Sequence, residues 1–207
     1  MKRISKTGSG SALLRDSDIP DVVALHRSCL PYSVNSRLGS EHLFYVYKFM
    51  MGNPASLVQV ARVDGHIAGV VSAALAPSEL KSAMLANLKL RQKLTLAMQL
   101  FTKPGLLLAL INNRKIERPV FWEGSVVTPV LTAIAVNNEV RRQGVGRMLV
   151  DRVDEFMRAN GARAYRLDTK SEKARAFYVN QGFAEVEKRG RDHILVKPLD
   201  VDHVPAG

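Results

Sequence analysis

The feature that most constrains this chain is Arg141-Arg142-Gln143-Gly144-Val145-Gly146, set directly behind the apolar run Leu131, Thr132, Ala133, Ile134, Ala135 and Val136. The order reads as a strand that ends in a glycine-containing turn and opens into a helix. Such a turn leaves several backbone N–H groups exposed at a helix N-terminus, where the macrodipole also favours anions. Gly144 and Gly146 lack Cβ atoms, so a polyphosphate can approach the main chain closely. A diphosphate-bearing ligand is therefore the first candidate. The spacing is not G-x-G-x-x-G and no G-x-x-x-x-G-K-[ST] occurs, so neither the dinucleotide nor the NTP fingerprint applies.

The helix that follows is well specified. Met148, Leu149, Val153, Phe156 and Met157 recur at helical spacing, and Asn160-Gly161 is a natural left-handed stop. Residues 162–168 alternate like a strand. Ser171-Glu172 then opens a short helix carrying Ala174, Phe177 and Tyr178, which Gly182 ends. Strand, anion-binding helix, strand and short helix make a parallel β-α-β unit with its ligand at the carboxyl ends of the strands.

Arg141-x-x-Gly144-x-Gly146, followed later by Ser171-Glu172-Lys173-Ala174-Arg175-Ala176-Phe177-Tyr178-Val179-Asn180-Gln181-Gly182-Phe183, resembles the GNAT (N-acetyltransferase) superfamily. That superfamily carries an [RQ]-x-x-G-x-[GA] acyl-CoA loop and a later N-x-x-A-x-x-F-Y-x-x-x-G-F segment. The resemblance is close over residues 131–183 and looser at 12–20, which looks like the usual opening strand and helix start. It implies an α/β fold with a mixed, mostly antiparallel central sheet flanked by helices. Within that sheet the family's fourth and fifth strands run parallel and splay apart. Relatives pass directly from the third strand to the fourth, whereas residues 77–119 intervene here as a helical insertion.

The resemblance also implies the chemistry. An N-acetyltransferase moves an acetyl group from acetyl-CoA, its cosubstrate, to a primary amine by direct attack in a ternary complex. The N–H groups of Arg142, Gln143, Gly144, Val145, Gly146 and Arg147 would hold the diphosphate, with Arg141, Arg142 and Arg147 adding positive charge. Ile134, Ala135 and Val136 would hydrogen-bond the pantetheine arm. The N–H of Val136, or of its neighbour Ala135, would polarise the thioester oxygen. Tyr178 stands at the family's tyrosine position, where a phenol protonates the departing thiolate, and Ala174 and Phe177 border the same ligand.

Two positions depart from the family. Ser171 stands where an asparagine often bonds the coenzyme, and Val130, behind Pro129, stands where many relatives place an acid. Glu123, His42, His26 and Glu41 are then the candidates for a base. No H-x-x-x-H or H-E-x-x-H spacing occurs among the five histidines, so no metal is expected. A small-molecule amine is the expected acceptor, because the insertion would close the cleft that an extended peptide needs. A protein N-terminus or lysine is an alternative acceptor, and a CoA-binding sensor without turnover an alternative function.

The formal charge of +11 on 207 residues favours anionic partners: the coenzyme phosphates, and an anionic surface or polymer through the insertion. From Lys81 to Arg118 eight bases, Lys81, Lys89, Arg91, Lys93, Lys103, Arg114, Lys115 and Arg118, face the single acid Glu117. Apolar residues recur there at Leu85, Leu88, Leu94, Leu96, Met98 and Leu100, and an apolar run follows over 106–111. Lys103-Pro104-Gly105 interrupts the pattern, so two amphipathic helices are expected rather than a spanning one. Nucleic acid is disfavoured, since aromatic and basic residues do not interleave as in single-strand binders. A homodimer stays open.

The single cysteine, Cys29, excludes an internal disulfide and fits a reducing compartment. Coenzyme A thioesters are cytosolic metabolites, so a cytoplasmic location is expected. Residues 1–10 read as a flexible arm rather than a secretory signal, 11–200 as a single domain, and 201–207 as a tail. Asp16 or Ser17 is expected to cap a first helix around Pro20, residues 41–51 a further helix, and Asp64-Gly65 the turn between strands 57–63 and 67–74.

Overall fold

Period-two alternation builds the sheet and 3.6-residue periodicity the layers upon it. In the computed structural model, which describes residues 10–102, 105 and 118–200, the strands are β1 (Gly10–Leu13), β2 (Ser56–Val63), β3 (His66–Ala74), β4 (Phe121–Trp122), β5 (Ser125–Val126), β6 (Val130–Val136), β7 (Ala164–Thr169), β8 (Ala184–Arg189) and β9 (Asp192–Pro198). The helices are α1 (Ile19–Cys29), α2 (Val34–Arg37), α3 (Ser40–Met51), α4 (Pro77–Ala86), α5 (Leu90–Thr102), α6 (Val145–Ala159) and α7 (Glu172–Val179). Most of the arm, the 201–207 tail, the 106–111 run, Lys103, Pro104, Arg114, Lys115 and Glu117 lie outside the described residues, while Gly10 begins β1.

Seven strands form one sheet in the order β1-β2-β3-β6-β7-β9-β8. Every pairing in it is antiparallel except β6 with β7. Asp64 (φ 51°) and Gly65 (φ 81°) are both left-handed, as the two-residue turn between β2 and β3 demands. The sheet is therefore mixed and mostly antiparallel, with one parallel pair, flanked by helices. The hairpin of β4 and β5 at the end of the insertion adds two short strands that no periodicity announced, because two residues are too few to show one.

Helix α6 covers one face. Its Leu149, Val150, Val153 and Met157 are fully buried against Leu57, Ala61, Val71, Leu131, Tyr165 and Leu167. Burying each such side chain contributes roughly 1.5–3 kcal/mol relative to exposure. On the other face α1 and α3 set Ile19, Val22, Leu43 and Tyr47 over Val58, Val60, Val70 and Ala135. Farther along that sheet Val120 and Val127 cover Ile194 and Val196.

The cap of α1 differs from expectation. Asp16 and Ser17 lie in a 3-10 turn, and the N-cap position falls to Asp18, which makes no side-chain cap bond. Its carboxylate is spent on Arg62 Nη2 at 2.6 Å and on the N–H of Arg15 at 3.1 Å, so tertiary pairing outcompetes local capping.

Candidate active site

The parallel pair opens almost as soon as it forms. Val130 and Arg166 are its one Cα partner pair, and the Arg166 N–H donates to the Pro129 carbonyl at 2.9 Å. Beyond that point β6 and β7 part, leaving main-chain groups of β6 without a neighbour on that side. The bulge between Ser72 and Ala73 of β3 lies opposite Thr132, whose hydroxyl meets that of Ser72 at 2.7 Å. Bulges of this kind sharpen local twist, which helps two neighbours diverge.

Register decides which amides face the gap. The Asn137 N–H donates to the Ala68 carbonyl at 2.9 Å, which sets the phase of the antiparallel ladder between β3 and β6. By alternation Ala135 is committed to Val70, while Ile134 and Val136 turn their N–H and C=O groups away from β3 toward the gap. Of the two candidates for polarising a carbonyl, the geometry leaves Val136 available and Ala135 occupied. The Val136 carbonyl accepts from the Cys29 thiol at 3.4 Å, so that cysteine is a packed residue at the edge of the site.

The turn after β6 leads into α6 by two left-handed residues, Arg142 (φ 66°) and Gly144 (φ 83°). A non-glycine residue there is strained by roughly 1–2 kcal/mol and persists only where the surroundings impose it. Gly144 is the N-cap and no side chain caps the helix. The first helical bond runs from the Met148 N–H to the Gly144 carbonyl at 3.0 Å, so the N–H groups of Gly144, Val145, Gly146 and Arg147 have no partner within the helix. One of the expected N–H donors differs: that of Gln143 bonds the Val140 carbonyl at 3.4 Å. The side chains of Arg141, Arg142 and Arg147 are exposed around this row.

The two glycines have different tasks. A Cβ on Gly144 would meet nothing within 4 Å, so the main chain there is open to a bulky anion. A Cβ on Gly146 would stand 3.1 Å from Phe177 Cζ, so the space a side chain would take here is filled by the aromatic ring of α7. Periodicity could not separate these roles, because Phe177 lies far along the chain.

Helix α7 starts at Ser171, whose hydroxyl oxygen accepts the Ala174 N–H at 3.3 Å. Tyr178 is buried, its ring between Phe177 at 5.2 Å and Phe183 at 5.3 Å. Burial, reinforced by the Asp168 carboxylate, pushes its pKa above the usual phenol value, so it holds its proton at neutral pH. Beneath this aromatic run Asp154 accepts from the Tyr165 hydroxyl at 2.7 Å and from Lys197 Nζ at 2.6 Å.

Asp168 was not among the sequence-derived candidates. It lies on β7 two positions past Arg166, beyond the parting of the strands. Loss of solvation and then the charge of Asp192 raise its pKa, opposed by Arg166 and Lys170. Its own surface stays open, which tempers that rise.

The four sequence-derived base candidates are spread over α1, α3 and the turn between β4 and β5. His26 is buried, its Nδ1 2.6 Å from the Tyr47 hydroxyl and its Nε2 3.3 Å from Ser33 Oγ, and burial lowers its pKa to about 4. His42 donates from Nε2 to Asn35 Oδ1 at 3.3 Å. Glu41 is exposed on α3, and Glu123 is exposed in the turn between β4 and β5.

Comparison with known proteins places this geometry. The sequence profile of the Acetyltransferase (GNAT) family matches residues 19–183. No curated protein matches in sequence. Among solved structures, PaiA N-acetyltransferase from Thermoplasma acidophilum, in complex with coenzyme A, superposes with a TM-score of 0.61 at 13% identity, covering 93% of this chain and 99% of that one. Ard1 from Thermoplasma volcanium gives 0.57 at 13%, covering 93% and 99%. The histone acetyltransferase HPA2 and related acetyltransferase structure from Corynebacterium glutamicum gives 0.55 at 16%, covering 97% and 100%. At these identities the likeness is one of fold.

Proposed function

The chain belongs to the acetyltransferase (GNAT) family, and we propose that it transfers the acetyl group of acetyl-CoA to a primary amine by direct attack in a ternary complex. The observation that carries this reading is the row of unspent N–H groups from Gly144 to Arg147, uncapped at the start of α6 and open at Gly144. An uncapped helix start forgoes about 1 kcal/mol of stability. A diphosphate would satisfy those donors at the positive end of the helix dipole.

Acetyl-CoA, when bound, supplies an acetyl group activated as a thioester. Gly144, Val145, Gly146 and Arg147 hold the diphosphate through main-chain N–H groups, and Arg141, Arg142 and Arg147 add positive charge. Ile134 pairs with the amide-bearing arm on the free side of β6. The Val136 N–H polarises the acetyl carbonyl, and such a donor is worth about 3–4 kcal/mol of barrier. Tyr178 gives its proton to the sulfur as the carbon–sulfur bond breaks. Asp168 takes the proton that the acceptor's ammonium form sheds, a task that Val130 cannot perform.

A small-molecule acceptor is supported by the packing of the insertion. The Tyr45 hydroxyl of α3 donates to the Met84 carbonyl of α4 at 3.0 Å, and Leu88 is buried, so the insertion walls α3. A cytosolic setting follows from the cosubstrate. Free-thiol release from acetyl-CoA with a panel of small amines tests the proposal, the expected result being release above the amine-free control for at least one amine. Absence of any heat with CoA or acetyl-CoA in calorimetry on the folded protein would remove it.

A further inference from the structure

Helix α5 presents an apolar stripe to solvent. Leu90, Leu94, Met98 and Phe101 are 72%, 62%, 66% and 90% exposed. At about 100° per residue these four positions fall within roughly 80° of the helix circumference. They therefore form one continuous face, not scattered surface residues. On the same projection Arg91 and Lys93 flank the stripe on opposite sides, and both are exposed. Lys89 precedes the helix, and α5 contains no acid.

We propose that this face of α5 docks on an anionic lipid bilayer, lying in the plane of the surface. An apolar stripe between two basic edges is the arrangement of an interfacial helix, with side chains such as Leu and Phe entering the acyl boundary and Lys and Arg meeting anionic headgroups. No described helix is long and apolar enough to cross a membrane, so the attachment is to one leaflet. Charge argues against a second copy of the chain as the occupant. Two such stripes face to face would bring Arg91 and Lys93 of each copy together with no acid on α5 to offset them. A bilayer rich in acidic headgroups supplies the complementary charge.

The binding does not depend on acetyl transfer, and the test reads it separately. The full chain is co-sedimented with phosphatidylcholine vesicles and with phosphatidylcholine–phosphatidylglycerol vesicles. Binding at least about tenfold stronger to the anionic vesicles, weakening as salt is raised, is the expected result. The double variant Leu94→Asp, Met98→Asp should lose vesicle binding while keeping the heat of CoA binding, since the proposed diphosphate row lies on α6. The milder pair Arg91→Gln, Lys93→Gln keeps the apolar stripe and should lower anionic binding severalfold. Three results would overturn the proposal: no vesicle binding, equal binding to neutral vesicles, or a wild-type dimer that Leu94→Asp, Met98→Asp converts to a monomer. Vesicle binding without any CoA binding would remove the acetyltransferase reading and leave this one standing.

Discussion

Tyr178 is positioned by ring contacts with Phe177 and Phe183, so its hydroxyl can be removed without loosening the packing. Tyr178→Phe should lower turnover by about 100-fold or more while CoA affinity stays unchanged, as steady-state kinetics and calorimetry would show. Unchanged turnover would exclude the phenol as proton donor. Asp168 must be ionised to take a proton, and its pKa is raised, so kcat/KM should climb with pH through a limb above the ordinary carboxylate range of about 4. Asp168→Asn should abolish that limb. His26 belongs to stability rather than to chemistry. Its pKa falls from 6.5 unfolded to about 4 folded, so the unfolded chain binds the extra proton between those values. The stability this represents is complete above the unfolded value and is lost as pH falls toward the folded one, roughly 3 kcal/mol at most. Thermal melts from neutral pH downward should show that loss, and His26→Gln should flatten it.

At the scale of elements, the start of α6 carries the N–H row on which the proposed coenzyme site rests. Its N-terminus is uncapped, so packing against the sheet must hold it in place. A Cβ on Gly69 of β3 would stand 2.9 Å from Leu149 Cδ1 and 3.1 Å from Val145 Cγ1. Gly69→Ala should therefore lift the first turn of α6 from the sheet. Overpacking of this kind costs roughly 1–3 kcal/mol, a fall in Tm of about 2–12 °C. Because the displaced turn carries the open N–H row, calorimetry should also show weakened CoA binding. A variant that melts lower but binds CoA normally would separate that row from the coenzyme. The glycine pair of the loop shows how far local pattern reaches. Gly144 and Gly146 look equivalent in the motif, yet one faces open space and the other the Phe177 ring.

Over the whole molecule, the formal charge of +11 and the arginines around α6 predict that CoA affinity falls severalfold as ionic strength rises from about 0.05 to 0.5 M, measurable by calorimetry. Salt-independent binding would mean that contacts other than the phosphates dominate. The β-α-β unit from β6 to β7 was legible in the chain alone, because its strand and helix periodicities and its turn glycines are local properties of neighbouring residues. Tyr178 was marked as a candidate by its place in the segment that resembles the family's later motif, not by periodicity. Asp168 was not, because its place depends on where β7 leaves β6 and on its nearness to Asp192, on another strand. The choice between Ala135 and Val136 likewise rests on a ladder with β3, some sixty residues earlier in the chain. Sequence alone determined the succession of strand, glycine turn, helix, strand and short helix from β6 to α7, since it follows from nearest-neighbour sterics and periodic burial, whereas the β4–β5 hairpin was too short to announce itself. Tertiary structure alone decided which amides are free and which glycine faces open space, because those outcomes are set by pairing register and by close packing between segments remote in sequence.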